Sequence, residues 1–173
     1  DPTDLDRALV THYDLDHVGV VRDVALDAPV HVGKRDAALV AGAYDPPWLH
    51  HKGLFHRATR RLVSLPSSLD VRPVADGERV GGFTAHHTPG HNPGHTVYVH
   101  EAFGVGLLGD LVWERDGDLT PPAWWDSYDV ARLHRSIRRF ADRDPSLAVV
   151  CPGHGDPLVG GGSPRLTDLA RRL

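Results

Sequence analysis

Four short apolar stretches of this 173-residue chain each end in a turn that carries histidine or aspartate. The stretches and their turns are ALVTHYDLDH at residues 8–17, GGFTAHH leading into HTPGHNPGH at 81–95, LLGD at 107–110, and CPGHG at 151–155. Ligands of open α/β sheets bind at the carboxyl ends of strands. We therefore expect the polar side chains of these turns to converge at one edge of a folded sheet.

The polar residues of these turns are of the types that bind metal. Imidazole and carboxylate groups are the ligands that zinc and similar divalent ions prefer. Glycines beside His91 and His154 permit tight turns, so that each imidazole is aimed from a rigid loop. The candidate metal ligands are His12, Asp14, Asp16, His17, His91, Asp110 and His154.

Hydrophobic periodicity predicts the surrounding elements. The clearest helix runs from about Ser127 to Arg143, because its apolar residues recur at spacings of three and four. Ser163 and Pro164 suit the start of a last helix. The other predicted elements are strands at 8–10, 28–33 and 147–151, a loop with HYDLDH at 12–17, a helix at 34–43, irregular or helical structure at 48–65, and a β-rich region from 70 to 110.

Composition excludes several classes of partner. The formal charge is -4, and the basic residues form scattered pairs rather than the stripe that tracks a phosphate backbone, so we expect no nucleic-acid partner. The longest apolar runs are too short to span a bilayer, and no signal segment opens the chain. Cys151 is the only cysteine, which rules out an internal disulfide. We expect a soluble, cytoplasmic protein that acts on a small molecule.

The motif set THYDLDHVG, HTPGHNPGH, LLGD and PGHG resembles the ordered motifs of the metallo-β-lactamase fold superfamily, whose first motif reads H-x-H-x-D-H in most members. The resemblance implies an α/β fold, a four-layer αβ/βα sandwich with a two-metal site at one edge of its paired sheets. Because little sequence precedes the first motif, we expect one domain over 1–173 that lacks the opening N-terminal strands of the family.

The resemblance also implies a role for each candidate ligand. His12, Asp14 and His91 would hold the first metal, Asp16, His17 and His154 the second, and Asp110 would bridge the two. A hydroxide between the metals would attack an acyl centre. The catalytic residues would be Asp16, which orients the hydroxide and carries its proton, and Asp110.

Asp14 departs from the family pattern, because most members have histidine at this position. The added carboxylate makes the metal pair less positive, so its bound water is a weaker acid, and it favours harder ions such as Mn²⁺ or Fe²⁺. We expect two divalent ions, zinc in first place, with manganese or iron allowed by Asp14.

Three functions follow from this pattern. The first is a metal-dependent hydrolase of small ester-like substrates, namely thioesters, lactones or related acyl compounds. The second, suggested by Asp14, is a non-haem iron redox enzyme of the persulfide dioxygenase or flavodiiron kind. The third is a non-catalytic metal-binding domain.

For other residues near the motifs, the sequence gives a weaker indication of a functional role. Trp124 and Trp125 follow the Asp110 motif and are candidates for the wall of an apolar substrate pocket. His87 and His95 are expected to form structural hydrogen bonds rather than to bind metal. The histidines expected at the surface or in packing are His50, His51, His56, His86, His100 and His134.

Overall fold

Two β-sheets form the centre of the computed structural model, which describes residues 5–23, 28–41, 43, 46–62 and 69–173. The first sheet is parallel, with strands β1 (Ala8–Val10), β2 (Val30–Gly33) and β3 (Val71–Val74) in that order. The second sheet has the order β11-β10-β7-β6-β5-β4. Its strands are β4 (Arg79–Val80), β5 (Phe83–His87), β6 (Thr96–His100), β7 (Val105–Gly109), β10 (Val149–Pro152) and β11 (Leu158–Val159). A hairpin of β8 (Trp113–Arg115) and β9 (Asp118–Thr120) lies between β7 and β10 in the chain.

The helices cover the outer faces of both sheets. They are α1 (Leu15–Asp23), α2 (Lys34–Val40), α3 (His51–Leu62), α4 (Val130–Ala141) and α5 (Gly162–Arg172). Buried side chains of α1 and α2 pack in one cluster with β1 and β2, and those of α4 and α5 pack in another with β6, β7 and β10. Within the described residues, no helix is long and apolar enough to cross a bilayer.

A third apolar cluster lies between the two sheets. It joins Val74 of the first sheet to Ala85 and Tyr98 of the second, with Leu9 packed against it. The buried hydroxyl of Tyr98 donates to the carbonyl of Val10 at 3.3 Å and thereby links the inner faces of the sheets. The layers therefore run helix, sheet, sheet, helix, which is the predicted four-layer α/β sandwich.

Most predicted elements are present, with shifted ends. The predicted helix 127–143 forms as α4 over Val130–Ala141, because Asp129 caps it by accepting the amide of Arg132 at 2.8 Å. The segment 48–65 is helical over His51–Leu62, and the predicted helix at 34–43 ends at Val40. The first motif differs from the prediction of a loop, since α1 begins within it at Leu15.

Candidate metal centre

The first motif lies partly before α1 and partly in its first turn. The carbonyl of Asp14 accepts the amides of His17 and Val18 at 2.9 and 2.8 Å, which starts the helix. Asp16 therefore stands in the first turn, where the helix dipole favours a negative charge. The early helix start places Asp16 and His17 on a regular element rather than on a loop.

Asp36 of α2 braces the first two turns against each other. Its fully buried carboxylate accepts the amide of Tyr13 at 2.9 Å and that of Gly94 at 2.6 Å. A Cβ atom at position 94 would overlap the Asp36 side chain, so the close approach requires glycine. Burial raises the pKa of the Asp36 carboxyl above its ordinary value, although both amides oppose the shift. No sequence signal identified this residue, which precedes an apolar stretch as an ordinary helix aspartate.

The third and fourth turns meet because β7 and β10 are parallel neighbours. Asp110 directly follows β7, and His154 lies two residues after β10. The amide of Gly153 donates to the carbonyl of Gly109 at 2.9 Å, and a Cβ atom at Gly153 would overlap the Asp110 carboxylate. The glycine predicted to permit a tight turn thus also lets the His154 turn approach Asp110.

The structure brings all seven candidate ligands into adjoining groups. Within each group, one possible ligand atom per residue lies within 4.8 Å of the others. The groups are His12, Asp14 and His91; His12, His17 and Asp110; Asp16, His17 and His154; and His91, Asp110 and Asp126. Their metal-ligand roles stay predictions, but the convergence expected from the four turns is present.

Two buried atoms in these groups test whether a divalent ion fits. His12 Nε2 and Asp110 Oδ1 are inaccessible to solvent, and neither makes a hydrogen bond among the described residues; the nearest opposite groups, Asp14 Oδ2 and His17 Nε2, lie 3.4 Å from them. A buried polar atom without a partner costs about 1–3 kcal/mol, so such atoms call for an unseen ligand. Both atoms belong to the group with His17, and one imidazole nitrogen and one carboxylate oxygen are what zinc, manganese or iron would bind. The residues therefore fit a divalent ion.

Burial and neighbouring charges set the protonation states of the two buried carboxylates and of His91. Burial alone would raise the pKa of Asp110, but the close approach of His17, whose Nε2 lies 3.4 Å from Asp110 Oδ1, and the positive charges that His12 and His91 carry when protonated lower that pKa below its ordinary value. Burial opposes ionisation of Asp14 in the same way, yet the surrounding histidines hold its pKa well below the ordinary value. Burial lowers the pKa of His91 to about 4, which leaves its ring neutral and able to donate a lone pair.

Helix α3 contributes two residues to the site that the sequence analysis did not place there. The Lys52 ammonium nitrogen lies 2.9 Å from Asp14 Oδ2 and 2.8 Å from His91 Nε2. His56 Nε2 lies 2.8 Å from Asp14 Oδ1. His56 is buried against the rings of Tyr13 and Tyr128, as expected of a packing residue, but its contact with a candidate ligand was not expected. Asp126, in a short 3-10 helix over Trp124–Asp126, also reaches the site and was missed.

The site opens to solvent on one side. The side chains of Asp16 and His154 are 57% and 47% exposed, whereas His12 and His91 are buried. Trp124 and Trp125 precede Asp126 and are exposed. A substrate would therefore approach over Asp16 and His154, with two indole rings on a segment that borders the centre.

The histidines assigned to structural hydrogen bonds have such partners. His95 is buried, and its Nδ1 atom lies 2.8 Å from Thr88 Oγ1. His87 Nε2 lies 3.2 Å from the carbonyl oxygen of Pro93. Neither histidine belongs to a potential metal group among the described residues.

The order of the turns and the architecture agree with a known family. A family model described as the metallo-beta-lactamase superfamily matches residues 1–154. The chain belongs to this superfamily. The recognition and the fold predicted from the four motifs are thereby confirmed.

Relatives of this superfamily member are found among curated proteins and solved structures. It is 27% identical to the uncharacterized protein YobT of Bacillus subtilis (strain 168) over 169 residues, which cover 87% of the chain and 67% of YobT. It is 24% identical to the probable metallo-hydrolase YqjP of the same organism, covering 91% of the chain but only 56% of YqjP. The solved structure of TTHA1623 in a di-iron-bound form is 31% identical, with a TM-score of 0.64 over 95% of this chain and 73% of that one.

These comparisons support a metallo-hydrolase superfamily protein of a family whose members bind divalent metals. The names of the relatives specify no substrate, and the di-iron form is a property of TTHA1623.

Proposed function

We propose that this chain is a metal-dependent hydrolase of small ester-like substrates, namely thioesters, lactones or related acyl compounds. The observation that carries the proposal is the group of His12, His17 and Asp110, in which two buried candidate ligand atoms make no hydrogen bond to any residue that the structure describes. The name of the relative YqjP, a probable metallo-hydrolase, supports the reaction type.

The residues that would hold metal are the seven candidates from the four turns. When bound, divalent ions supply Lewis acidity, which makes a water more acidic and polarises the acyl oxygen. Zinc is the first expectation, and manganese or iron also suits a site with two or more carboxylates. The zinc identity and the two-ion count stay predictions.

The chain's own groups would guide the proton in hydrolysis. Water adds to the acyl carbon, and its proton passes to Asp16 Oδ2, which is exposed at the open side of the site and lies 3.4 Å from His154 Nε2. The leaving oxygen or sulfur takes this proton from Asp16 as its bond to the acyl carbon breaks. Asp110 is buried, but the neighbouring histidines lower its pKa more than burial raises it. Asp110 would therefore keep its negative charge throughout the reaction.

The borders of the site favour an apolar acyl group. Trp124 is 71% exposed and Trp125 is 57% exposed, and contiguous exposed apolar surface of this kind is typical of ligand-binding grooves and interfaces. The Nε2 atom of His51 lies 2.6 Å from the carbonyl of Trp125, which fixes this segment to α3. We propose that the two indoles contact the acyl chain of the substrate.

A second candidate is a non-haem iron redox enzyme that uses dioxygen. The observation in its favour is the 31% identity to TTHA1623, whose structure is described as a di-iron-bound form. The extra carboxylate of Asp14 would also suit iron.

Elemental analysis of freshly purified, untagged protein, followed by a screen of thioesters and lactones, would test the proposal. Zinc or manganese with ester turnover that is lost on chelation and regained on metal addition is the expected result. Iron with oxygen uptake on a thiol substrate would favour the redox candidate. Absence of metal and of turnover, even after Zn²⁺ or Mn²⁺ is added, would refute both and leave a non-catalytic domain.

A further inference from the structure

We propose that the Lys52 ammonium takes the place of the first metal ion, so that this chain binds a single divalent ion on the side of His17. The inference rests on the proposed function in one respect, namely that the centre binds metal. It changes the predicted number of ions and assigns a purpose to both Lys52 and Asp14.

Lys52 is held in the centre by a complete set of acceptors. The residue is 4% exposed. Its ammonium donates to Asp14 Oδ2 at 2.9 Å, to the carbonyl oxygen of Asp126 at 2.8 Å and, in the His91 tautomer that carries its proton on Nδ1, to His91 Nε2 at 2.8 Å. An ammonium has three N–H groups, and all three have acceptors here. The Asp126 carboxylate, 3.6 Å away, adds a further negative charge.

The ammonium and a first-site ion would compete for the same atom. A neutral imidazole has one nitrogen lone pair, which can accept one hydrogen bond or bind one metal. Zinc binds such a nitrogen at about 2.0–2.1 Å. The ammonium nitrogen already lies 2.8 Å from His91 Nε2, so an ion bound there would collide with a like charge. Occupation by one therefore excludes the other.

Asp14 is fully used by protein donors. Its Oδ1 atom lies 2.8 Å from both His56 Nε2 and Asn92 Nδ2, while Oδ2 receives the ammonium. A buried cation is tolerated when it is paired and hydrogen-bonded. A histidine at position 14, as in most of the superfamily, would offer no negative charge to Lys52. The departure in the first motif is therefore explained as the counter-charge of a lysine from α3.

The remaining donors suit one ion. With Asp14 and His91 engaged by Lys52, the free candidates are His12, Asp16, His17, Asp110 and His154. Asp16 and Asp110 supply two negative charges, which balance one divalent ion. His12 Nε2 and Asp110 Oδ1, which are buried and make no hydrogen bond within the described part of the chain, both belong to this remaining set.

Metal stoichiometry tests the inference without reference to activity. The protein is equilibrated with excess Zn²⁺, freed of unbound metal by gel filtration and analysed for zinc per chain. Because Lys52→Met alone would remove the cation that balances the buried Asp14 carboxylate, the variant is the double substitution Asp14→His with Lys52→Met. The matched control is Lys34→Met at the only other lysine of the chain, which is exposed.

We expect one ion per chain in the wild type and in Lys34→Met, and two in the double variant. Two ions in the wild type would overturn the inference and leave the proposed function standing. One ion in the double variant would also overturn it, because Lys52 would then not be what excludes the second ion. No ion in any of the three proteins would instead refute the proposed metal-dependent function.

Amine labelling gives a second test that needs no variant. Reductive methylation of the zinc-loaded wild type, followed by peptide mass spectrometry, compares Lys52 with Lys34 in the same molecule. We expect Lys34 to be modified at least about tenfold faster, since Lys52 stays enclosed between its three acceptors. Modification of both lysines at equal rates would show that zinc displaces Lys52, which would overturn the inference.

Discussion

His56 Nε2 lies 2.8 Å from Asp14 Oδ1, and it links α3 to the first motif across 42 residues of sequence. The hydroxyl of Tyr128 lies 2.9 Å from the other ring nitrogen, Nδ1. A hydroxyl that donates to Nδ1 favours the tautomer in which Nε2 carries the proton and donates it to the carboxylate. Tyr128 thus sets the direction of the hydrogen bond that holds Asp14.

The first prediction concerns this link. His56→Ala leaves Asp14 with one donor fewer in a buried setting, and we expect a loss of about 1–3 kcal/mol in the free energy of unfolding. Urea unfolding at pH 7 measures the loss. Tyr128→Phe should give a smaller loss of about 1 kcal/mol, because only the tautomer preference weakens. Equal stability of His56→Ala and the wild type would contradict the proposed bracing role.

The second prediction concerns Asp110, the buried carboxylate that takes part in two of the ligand groups. Asp110→Ala should lose metal and activity together, with at least about a 100-fold loss of metal affinity, since even partners of a ligand matter by that factor. His134→Ala, on α4 and outside every ligand group of the described residues, should change neither. Retained activity in Asp110→Ala would refute its role in the centre.

The third prediction concerns Asp36, which holds the Tyr13 and Gly94 amides together. Asp36→Ala leaves two amides without their acceptor, and we expect a loss of about 2–5 kcal/mol in unfolding free energy. Thermal unfolding with and without zinc measures it. Asp142→Ala, an exposed aspartate after α4, is the control and should be near neutral. A loss no larger than that of the control would argue against the brace.

The fourth prediction concerns pH and His95. Burial lowers the pKa of His95 well below its ordinary value of 6.5, and the nearby His12 and His91 add to the shift. Below pH 6.5 the unfolded chain binds a proton at His95 that the folded chain does not bind. The free energy of unfolding is therefore at its full value above pH 6.5 and decreases as the pH falls below it. Urea unfolding of chelator-treated protein between pH 7.5 and 5 should show the fall, and His95→Gln should make it shallower. Parallel curves for the two proteins would contradict the assignment.

The fifth prediction concerns the indoles at the open side. Trp124→Ala and Trp125→Ala should each raise KM for a long-chain acyl substrate by roughly tenfold, which corresponds to about 1.4 kcal/mol, and leave a short-chain substrate nearly unchanged. Phe103→Ala is the control, because Phe103 is 72% exposed but follows the end of β6 that points away from the site. Equal effects on long and short chains would exclude an acyl-binding role.

Several parts of the candidate metal centre could be predicted from the sequence. His91, Asp110 and His154 each lie in a glycine-containing turn beside an apolar strand, and such local patterns survive folding because strand direction and turn geometry are set by neighbouring residues. The helix α4 was found for the same reason, since its apolar spacing is local. The start of α1 at Leu15 was missed, although Asp14 directly before it is of a type preferred at helix starts and Val18 and Val21 recur at helical spacing, because the motif was interpreted only as a ligand-bearing loop.

The sequence by itself determined which ligand types occur, in which order and after which strands, and this was enough to identify the superfamily and its layered fold. Only the tertiary structure decided that Lys52, His56 and Asp126 join them. Lys52 is separated from His91 by 39 residues and from Asp126 by 74, and no local pattern encodes such a meeting. It arises because α3 and the Trp124–Asp126 segment pack together beside the sheet edge, where burial makes an ammonium and a carboxylate depend on each other.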